Sequence, residues 1–337
     1  MSTAGWAVAF VPALAAWAFI AWARHARFAE RLADRPNARS LHEVPRPRVG
    51  GLGVMLGALP FVAAFGDEPL RIAAGCAVLL CAVSLADDVR SLPALPRLAA
   101  HFAAAGIAVA AIAGNAGWPW PIAVVAAAAV AIAWMADLYN FMDGSDGLAG
   151  GMAVIGFGAF ALAAGVASPL GIAALALASA SIGFLAWNFP PARVFLGDAG
   201  SIPLGFLAGA LGLQGVAEGA WPAWFPAVVF APFVIDASVT VLRRLFRGER
   251  IWRAHRSHYY QRLVLAGWSH RRLALWAYGV MAAGVAVAFA AARASAMLQC
   301  GIIVVWAAAW LLLLATIERH LRRVGVRFAE APGRSSG

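Results

Sequence analysis

Long apolar runs recur along almost the whole chain and are separated by short polar connections. Many runs approach the ~20 residues that a helix needs to cross the hydrocarbon core of a bilayer. Backbone groups in lipid must be hydrogen-bonded within their own segment, so each run is predicted to be helical. The pattern predicts eleven spans, at 4–23, 49–66, 70–86, 97–114, 119–138, 147–166, 168–187, 201–215, 221–242, 273–293 and 297–316. The predicted fold class is therefore an all-α membrane protein, a polytopic helical bundle.

The composition agrees with this interpretation. Of the 337 residues 63% are hydrophobic and 12% are charged, whereas about a quarter of the residues in soluble domains are charged. One membrane domain is predicted over residues 1–318, followed by a basic tail, 319–337, that is predicted to be disordered. Arg24 and Arg27 follow the first run and no basic residue precedes it, which favours an anchor whose N-terminus lies outside.

The positive charge is distributed unevenly among the connections. The net charge is +10 with 26 basic residues, all of them arginine. With the spans above, Arg71 and Arg293 fall on one side, and the other arginines follow odd-numbered spans. This asymmetry predicts that those connections and the C-terminus are cytoplasmic. The charge therefore indicates topology and contact with membrane lipid rather than nucleic acid.

Four polar clusters fall on this predicted cytoplasmic side. The first is the pair Asp87 and Asp88 at the end of the third span. Two carboxylates at a helix C-terminus meet the negative end of the helix dipole, so a cation or a basic partner would stabilise them. A solvated loop start with Arg90 as counter-ion is an equally good interpretation.

The second cluster contains Asn140, Asp143 and Asp146, spaced three apart in a glycine-rich turn. Glycines allow the backbone to approach a ligand closely, and the N-terminus of the helix that follows can hold a phosphate. The run lacks the distal bidentate glutamate of a calcium loop. A purely structural turn would not need three such polar side chains.

The third cluster contains Asn188, Phe195, Asp198 and Ser201 before the eighth span. Asp198 is predicted at a helix N-terminus, with Ser201 as a cap or a second acceptor. Phe195 could stack on a nucleobase, or it could belong to the interfacial aromatic belt.

The fourth cluster contains His255, His258 and Arg262 in the basic connection after the ninth span. If this stretch is helical, the three side chains share one face. Two histidines at this spacing could bind zinc, but no further ligand lies near enough to complete such a site. The cluster suits phosphate oxygens better, and a solvated basic loop is the alternative.

One acid, Asp236, lies well inside a predicted span. Burying an acid inside the membrane is energetically costly, so such an acid is first interpreted as functional. Arg243 lies two turns away on the same helix face, so a structural ion pair between the two is the alternative.

Together these clusters describe a site for magnesium and a diphosphate. Mg²⁺ prefers one or two carboxylates together with phosphate oxygens, and Mn²⁺ is a possible substitute. Phosphoryl transfer needs mainly positioning and charge neutralisation. The position at the membrane makes one of the substrates amphiphilic.

In their order and topology the four motifs resemble the polyprenyl-phosphate N-acetylhexosamine-1-phosphate transferases, glycosyltransferase family 4. The resemblance covers roughly residues 30–265, and the segment 35–51 is similar to the first cytoplasmic loop of that family. The sequence at 255–263, His-Arg-Ser-His-Tyr-Tyr-Gln-Arg-Leu, is most similar to that of the members that initiate O-antigen or related surface glycans. It is less similar to phospho-MurNAc-pentapeptide transferase, whose loop carries adjacent histidines.

The resemblance implies a reaction at the cytoplasmic face of a bacterial inner membrane. Undecaprenyl phosphate attacks the sugar-bearing phosphorus of a UDP-N-acetyl sugar, which releases UMP and leaves an undecaprenyl-diphosphate sugar. N-acetylglucosamine, N-acetylfucosamine and N-acetylquinovosamine donors all stay open, and a homodimer is possible. Because the second pKa of a phosphate monoester is about 6, the lipid phosphate is largely deprotonated and does not require a strong general base. Direct attack by the lipid phosphate is therefore favoured. A covalent aspartyl-phosphate route remains an alternative.

The resemblance also implies a role for each candidate residue. Asp198 is the principal magnesium ligand, and Asp87 and Asp88 lie near the attacking lipid phosphate. The remaining candidates contact or support the nucleotide sugar. Asp143, Asn188 and Phe195 contact uridine, with Phe195 stacked on uracil. His255, His258 and Arg262 hold the diphosphate or the sugar. Asn140 and Asp146 shape the centre.

The first cytoplasmic loop differs from that of some relatives, which carry a functional lysine there. This chain has no lysine, so Arg39, Arg46 or Arg48 would supply that charge.

Two other classes of protein compete with this interpretation. A membrane transporter should line a path across the bilayer with acids, and Asp236 alone lies well inside a predicted span. A CDP-alcohol phosphotransferase needs a longer aspartate motif on consecutive helical turns, which the sequence does not show.

Overall fold

The structure is a computed structural model that describes residues 3–34, 44–90, 92–117, 120–250, 255–326 and 328. Two short strands, β1 Ala33–Asp34 and β2 Arg46–Pro47, pair antiparallel between the second and third helices. The helices are α1 Thr3–Ala23, α2 Arg27–Arg31, α3 Gly50–Phe65, α4 Glu68–Arg90, α5 Ala94–Asn115, α6 Ile122–Phe141, α7 Leu148–Ala164, α8 Pro169–Asn188, α9 Asp198–Ala217, α10 Phe225–Val229, α11 Ala231–Phe246, α12 Tyr259–Leu265, α13 His270–Ala292 and α14 Ala296–Arg323.

The apolar helices identify an integral membrane protein. Within the described ranges, eight helices are long and apolar enough to cross a bilayer, namely α1, α4, α5, α6, α8, α9, α13 and α14. Helices α3 and α7 are apolar but shorter. Most described residues of the predicted spans lie in helices, which confirms the all-helical membrane class. The count of eleven spans and the orientation in the membrane stay predictions.

The ninth predicted span, 221–242, is not one continuous helix. It is divided into α10 and α11, which meet at Phe230. Pro232 stands in the first turn of α11. A proline has no backbone N–H and its ring clashes with the carbonyl four residues earlier, which favours a kink or a break in the helix at this position.

The chain stays helical beyond the predicted domain boundary at residue 318. Helix α14 ends at Arg323, so the first part of the predicted disordered tail is helical. Glu318 and Arg322 form an ion pair one turn apart, 3.5 Å between Oε1 and Nε, and Leu321 is buried. Such i,i+4 pairs stabilise a helix end. The rest of the tail lies outside the described residues, except 324–326 and Phe328, which is buried.

The centre of the bundle is formed by α8 and α9. Helix α8 packs against α1, α3 and α7, while α9 packs against α4 and α6. Helices α3 and α9 approach closely at Gly51 and Gly200, where a Cβ atom on either residue would overlap the backbone of the other. Small residues permit such approach between membrane helices. This contact fixes the start of α3 against the start of α9.

The connection before α3 is fastened to the connection before α9. The backbone N–H of Phe195 donates to the carbonyl of Pro47 at 3.0 Å, and Gly50 N–H donates to the carbonyl of Phe195 at 3.0 Å. Gly51 N–H donates to the carbonyl of Leu196 at 2.8 Å. Three backbone hydrogen bonds therefore place Arg48 beside the first residue of α9.

Candidate active site

Four acids gather at the end of the bundle where α4 and α6 finish and α9 begins. Asp87 and Asp88 lie in the last turn of α4, Asp143 follows α6, and Asp198 is the first residue of α9. Asp198 is close enough to each of the other three for their charges to interact. The sequence predicted these acids on one side of the membrane, and the structure brings them together.

Two arginines lie against the acids. Arg48 donates from Nη2 to Asp34 at 2.7 Å and from Nη1 to Asp88 at 3.1 Å. Arg97, near the start of α5, donates from Nη1 to Asp87 at 2.7 Å. Both guanidinium side chains remain about one-third exposed, so they can also meet the oxygens of a bound phosphate.

These contacts show where the described residues among the sequence candidates lie. Of the three arginines that could replace the first-loop lysine, Arg48 is the one seen against an acid of the site. Arg39 lies outside the described residues. The counter-ion of Asp87 is Arg97 rather than the predicted Arg90, which is exposed. Three residues separate Arg90 from the start of helix α5, and the first turns of α5 then face the end of α4.

One acid of the site offers a free oxygen to a divalent cation. Asp88 uses Oδ1 for Arg48, while its buried Oδ2 has no hydrogen-bond partner among the described residues. A buried carboxylate oxygen without a partner is unfavourable and fits a cation ligand. Within the described ranges, however, no group of three or more acidic, histidine or cysteine side chains is arranged to hold a metal. The residues therefore fit Mg²⁺ in the mode in which one or two carboxylates bind it and substrate oxygens complete the coordination.

Asn140 supports Asp198 across the gap between α6 and α9. Its side chain hydrogen-bonds the Asp198 carboxylate, and its Oδ1 accepts from the Ser201 hydroxyl at 2.8 Å. Ser201 also donates to the carbonyl of Gly197 at 3.2 Å, so it acts as a donor within the first turn of α9 rather than as its cap. The structure thus gives Asn140 the supporting position that was predicted for it.

Asp143 lies in the turn after α6, beside the start of α9. Burial raises the pKa of this carboxyl well above its usual range, and the neighbouring Asp198 charge raises it further. Arg48 and the backbone N–H of Gly197 act in the opposite direction. A cation or a donor from a substrate would favour the ionised form of Asp143.

Asp146 and Asn188 hold two loops of the site together. Asp146 Oδ2 accepts from the backbone N–H of Ala192 at 2.9 Å. Asn188 Oδ1 accepts from Gly147 N–H at 2.8 Å, and its Nδ2 donates to the carbonyl of Val194 at 2.9 Å. Asn188 is buried and both ends of its amide have a partner inside the protein; its predicted contact with uridine stays a prediction. Asp146 has the supporting position that was predicted.

The histidine segment is arranged differently from the prediction. Helix α12 begins at Tyr259, so His255 precedes the helix and His258 is its N-cap. The two rings nevertheless approach each other, with centroids 4.9 Å apart. The ring of His258 is 6.0 Å from that of Phe141. The segment therefore reaches the end of α6, although 255, 258 and 262 do not share a helical face.

Arg262 and Asp236 have partners that the sequence did not predict. Arg262 is 1% exposed and donates to the Glu318 carboxylate at 2.9 and 3.2 Å. The predicted contact of Arg262 with substrate is therefore wrong, because its guanidinium is buried against α14. Asp236 accepts from the backbone of α12, and Arg243 donates to Glu318 instead. The alternative ion pair between Asp236 and Arg243 is also wrong.

A comparison with known families matches residues 70–216 to the model for glycosyl transferase family 4. This range contains the acids at 87, 88, 143 and 198 and the support residues Asn140 and Asn188. Over this range the chain is similar to glycosyl transferase family 4. The resemblance seen in the motifs is thus confirmed.

The curated relatives that this chain resembles are named as transferases. The chain is 28% identical to a probable undecaprenyl-phosphate N-acetylglucosaminyl 1-phosphate transferase of Bacillus subtilis, over 73% of each chain. It is 28% identical to a decaprenyl-phosphate N-acetylglucosaminephosphotransferase of Mycobacterium tuberculosis, over 83% of this chain and 81% of the relative. A phospho-N-acetylmuramoyl-pentapeptide-transferase of Listeria welshimeri is 32% identical, over 44% of this chain and 46% of the relative.

Sequence reasoning missed several polar residues at this end of the helical bundle. His101 of α5 is buried, and its Nδ1 lies 2.8 Å from Asp137 of α6, one turn before Asn140. The hydroxyl of Ser145 lies 2.8 Å from Nδ1 of His270. His101 and Asp137 stand alone in apolar runs, which was the signal available for them.

The half-buried position of His255 predicts how the stability of the fold depends on pH. Burial, together with the nearby His258 and Arg244, lowers the pKa of His255 to about 3. Unfolded histidine titrates near ~6.5, so the unfolded state binds a proton that the folded state excludes. Stability is therefore lost as pH falls from about 6.5 towards 3. We expect the melting temperature of His255→Gln in detergent to fall less steeply than that of the wild type between pH 7 and 5. Parallel slopes would contradict this prediction.

Proposed function

We propose that this chain transfers a sugar-1-phosphate from a UDP-N-acetyl sugar to undecaprenyl phosphate and releases UMP. The reaction would take place at the cytoplasmic face of a bacterial inner membrane, as the first membrane step of O-antigen or related surface glycan synthesis. The observation that carries the proposal is the gathering of Asp87, Asp88, Asp143 and Asp198 with Arg48 and Arg97 at one end of a membrane bundle.

The arrangement supports a single displacement at phosphorus. An oxygen of the lipid phosphate forms a bond to the sugar-bearing phosphorus of the donor. The bond from that phosphorus to the oxygen shared with UMP breaks, and UMP leaves with the electron pair. The lipid phosphate has a second pKa of about 6 and is largely deprotonated at neutral pH, so Asp87 and Asp88 need only position it or accept a residual proton.

Charge neutralisation is the main requirement of such a transfer. Arg48 and Arg97 can each bridge between an acid of the site and a phosphate oxygen, since both are partly exposed. Bound Mg²⁺, or Mn²⁺ in its place, would neutralise charge on the diphosphate. Asp198 and the unpartnered Oδ2 of Asp88 are the oxygens proposed to hold it.

The nucleotide would lie beside the start of α9. The ring of Phe195 is half-buried in a loop whose backbone is fixed by Pro47 and Gly50, so it offers a rigid face for uracil. Asp143 can accept from the base or the ribose. His255 is uncharged at neutral pH because burial lowers its pKa to about 3, so it would contact the diphosphate or the sugar by a neutral hydrogen bond.

The curated relatives suggest which substrates to test first. Two of the names above specify N-acetylglucosamine and a polyprenyl phosphate, which makes UDP-N-acetylglucosamine the first donor. The similarity to phospho-N-acetylmuramoyl-pentapeptide-transferases makes UDP-MurNAc-pentapeptide a second candidate. The separated pair His255 and His258, in place of adjacent histidines, favours the first.

The decisive experiment measures UMP released by detergent-purified protein with undecaprenyl phosphate, Mg²⁺ and a panel of UDP-N-acetyl sugars. Release that needs both lipid and metal, and that one donor supports, is the expected result and would name the sugar. Failure with every donor, and failure to bind any uridine nucleotide by folded protein, would overturn the proposal. A phosphorylated enzyme trapped with donor alone would instead favour an aspartyl-phosphate route.

A further inference from the structure

Asp236 is a buried acid inside α11 whose two oxygens are both used by the protein backbone. Its Oδ1 accepts from the N–H of Tyr259 at 2.9 Å, and its Oδ2 accepts from the N–H of Tyr260 at 3.0 Å. Thr240 donates its hydroxyl to Oδ1 at 3.2 Å. The first N–H groups of a helix have no partner within the helix, and a carboxylate there also meets the positive end of the helix dipole. Asp236 therefore completes the start of α12 from a different helix.

The second of these tyrosines connects α12 to the turn that carries Asp143. The Tyr260 hydroxyl donates to the carbonyl of Phe141 at 2.9 Å. It also fills the space beside Gly144, where a Cβ atom would collide with that hydroxyl oxygen. Tyr260 is thus held at its backbone by Asp236 and at its side chain by residues on either side of Asp143.

The histidines lie immediately before this connection. His258 is the N-cap of α12, and its Nδ1 is 3.4 Å from Asp236 Oδ1. The ring of His255 packs beside that of His258. Any shift of the start of α12 would move both histidines relative to Asp143.

We propose that Asp236 is a positioning residue that acts through Tyr260 to fix the His255/His258 segment against the Asp143 turn. Asp236 does not touch the substrate, since its oxygens are directed at the backbone of α12. The catalytic consequence rests on the proposed function, whereas the structural link does not. The positioning role explains why an acid is kept inside the membrane although burying it there is energetically costly.

The test compares three variants of the whole protein. Asp236→Asn keeps one acceptor oxygen but puts an NH₂ group where the second oxygen stood, so one amide of α12 loses its acceptor. Tyr260→Phe removes only the hydroxyl that reaches Phe141. Thr240→Val is the matched control, because it removes a contact of Asp236 without touching α12.

Two measurements are made on each variant, the kinetics of UMP release and the hydrogen exchange of the peptide that covers 255–265. We expect Asp236→Asn and Tyr260→Phe each to lower kcat about 10- to 100-fold and to change KM for the donor less, because the proposed stacking of uracil on Phe195 is untouched. Exchange at the start of α12 should become faster in Asp236→Asn. Thr240→Val should resemble the wild type.

The double variant Asp236→Asn/Tyr260→Phe decides whether the two residues act in one connection. Residues in one network give non-additive effects, so the double variant should be little worse than the poorer single variant. The proposal would be overturned if the two losses in kcat multiplied in the double variant. Wild-type kcat together with wild-type exchange in Asp236→Asn would overturn it as well. If Asp236→Asn does not fold, wild-type kcat in Tyr260→Phe overturns it equally. A wild-type protein without transferase activity would remove the proposed function, and the exchange data would still decide the link.

Discussion

Asp198→Asn is expected to lower kcat for UMP release by about 10³-fold or more, since a carboxylate that holds a divalent cation supplies several kcal/mol of stabilisation to the transition state. Asparagine has nearly the same shape and keeps one oxygen, so Asn140 can still bond to this position. The change removes one negative charge from the centre of the acid cluster. Activity should be measured over a range of Mg²⁺ concentrations, because a weakened metal site would recover in part at high metal.

The matched control for this variant is Asp67→Asn. Asp67 lies between α3 and α4, at the opposite end of α4 from the acids, where Gln214 donates to it at 2.9 Å. The Asp67→Asn variant should keep wild-type activity. If Asp198→Asn retained more than about a tenth of wild-type kcat, Asp198 would not be the principal metal ligand, since that is a difference of only ~1.4 kcal/mol.

Arg48→Gln is expected to lower kcat about 100-fold, as does the loss of one well-placed donor to a developing charge. Arg48 joins Asp34 of β1 to Asp88 of α4, and Asp198 lies within range of its charge. Without the guanidinium, the acids repel one another and the lipid phosphate loses a donor. Kinetics should be recorded at varied concentrations of undecaprenyl phosphate.

Two further variants show what Arg48 contributes. Arg46→Gln, two residues earlier on β2, removes the same charge from the same strand connection and should be close to wild type. Arg48→Lys keeps the charge but cannot bridge two acids with a planar fork, so it should fall between the wild type and Arg48→Gln. Equal losses in Arg46→Gln and Arg48→Gln would show that only the net charge matters.

The sequence was sufficient for the membrane class and for the location of the acids. Alternation of the spans predicts that Asp87, Asp143 and Asp198 share one side, and the structure confirms that they interact. The prediction succeeded because each acid lies at a helix end. Consecutive membrane helices run in opposite directions, so counting them is enough to tell which ends share a side.

The sequence could not show which polar side chains are already satisfied within the protein. Asn188 and Arg262 have the residue types of a binding site, yet one joins two loops and the other pairs with Glu318, 56 residues later. Arg97 was missed because nothing in its local pattern separates it from other arginines of the basic connections. These partners depend on how distant helices pack, which spacing along the chain does not record.

The close crossing of α3 and α9 has a consequence for natural and laboratory variation. At Gly51 and Gly200 an added methyl group would meet backbone atoms that cannot rotate away. At Gly75 in α4 and Gly106 in α5, in contrast, no atom lies within 4 Å of the position of a Cβ atom. Alanine is more favourable than glycine inside a helix by roughly 0.5–1 kcal/mol. In a saturation library selected for activity, the first pair should accept glycine alone, while alanine at the second pair should be enriched as a stabilising substitution.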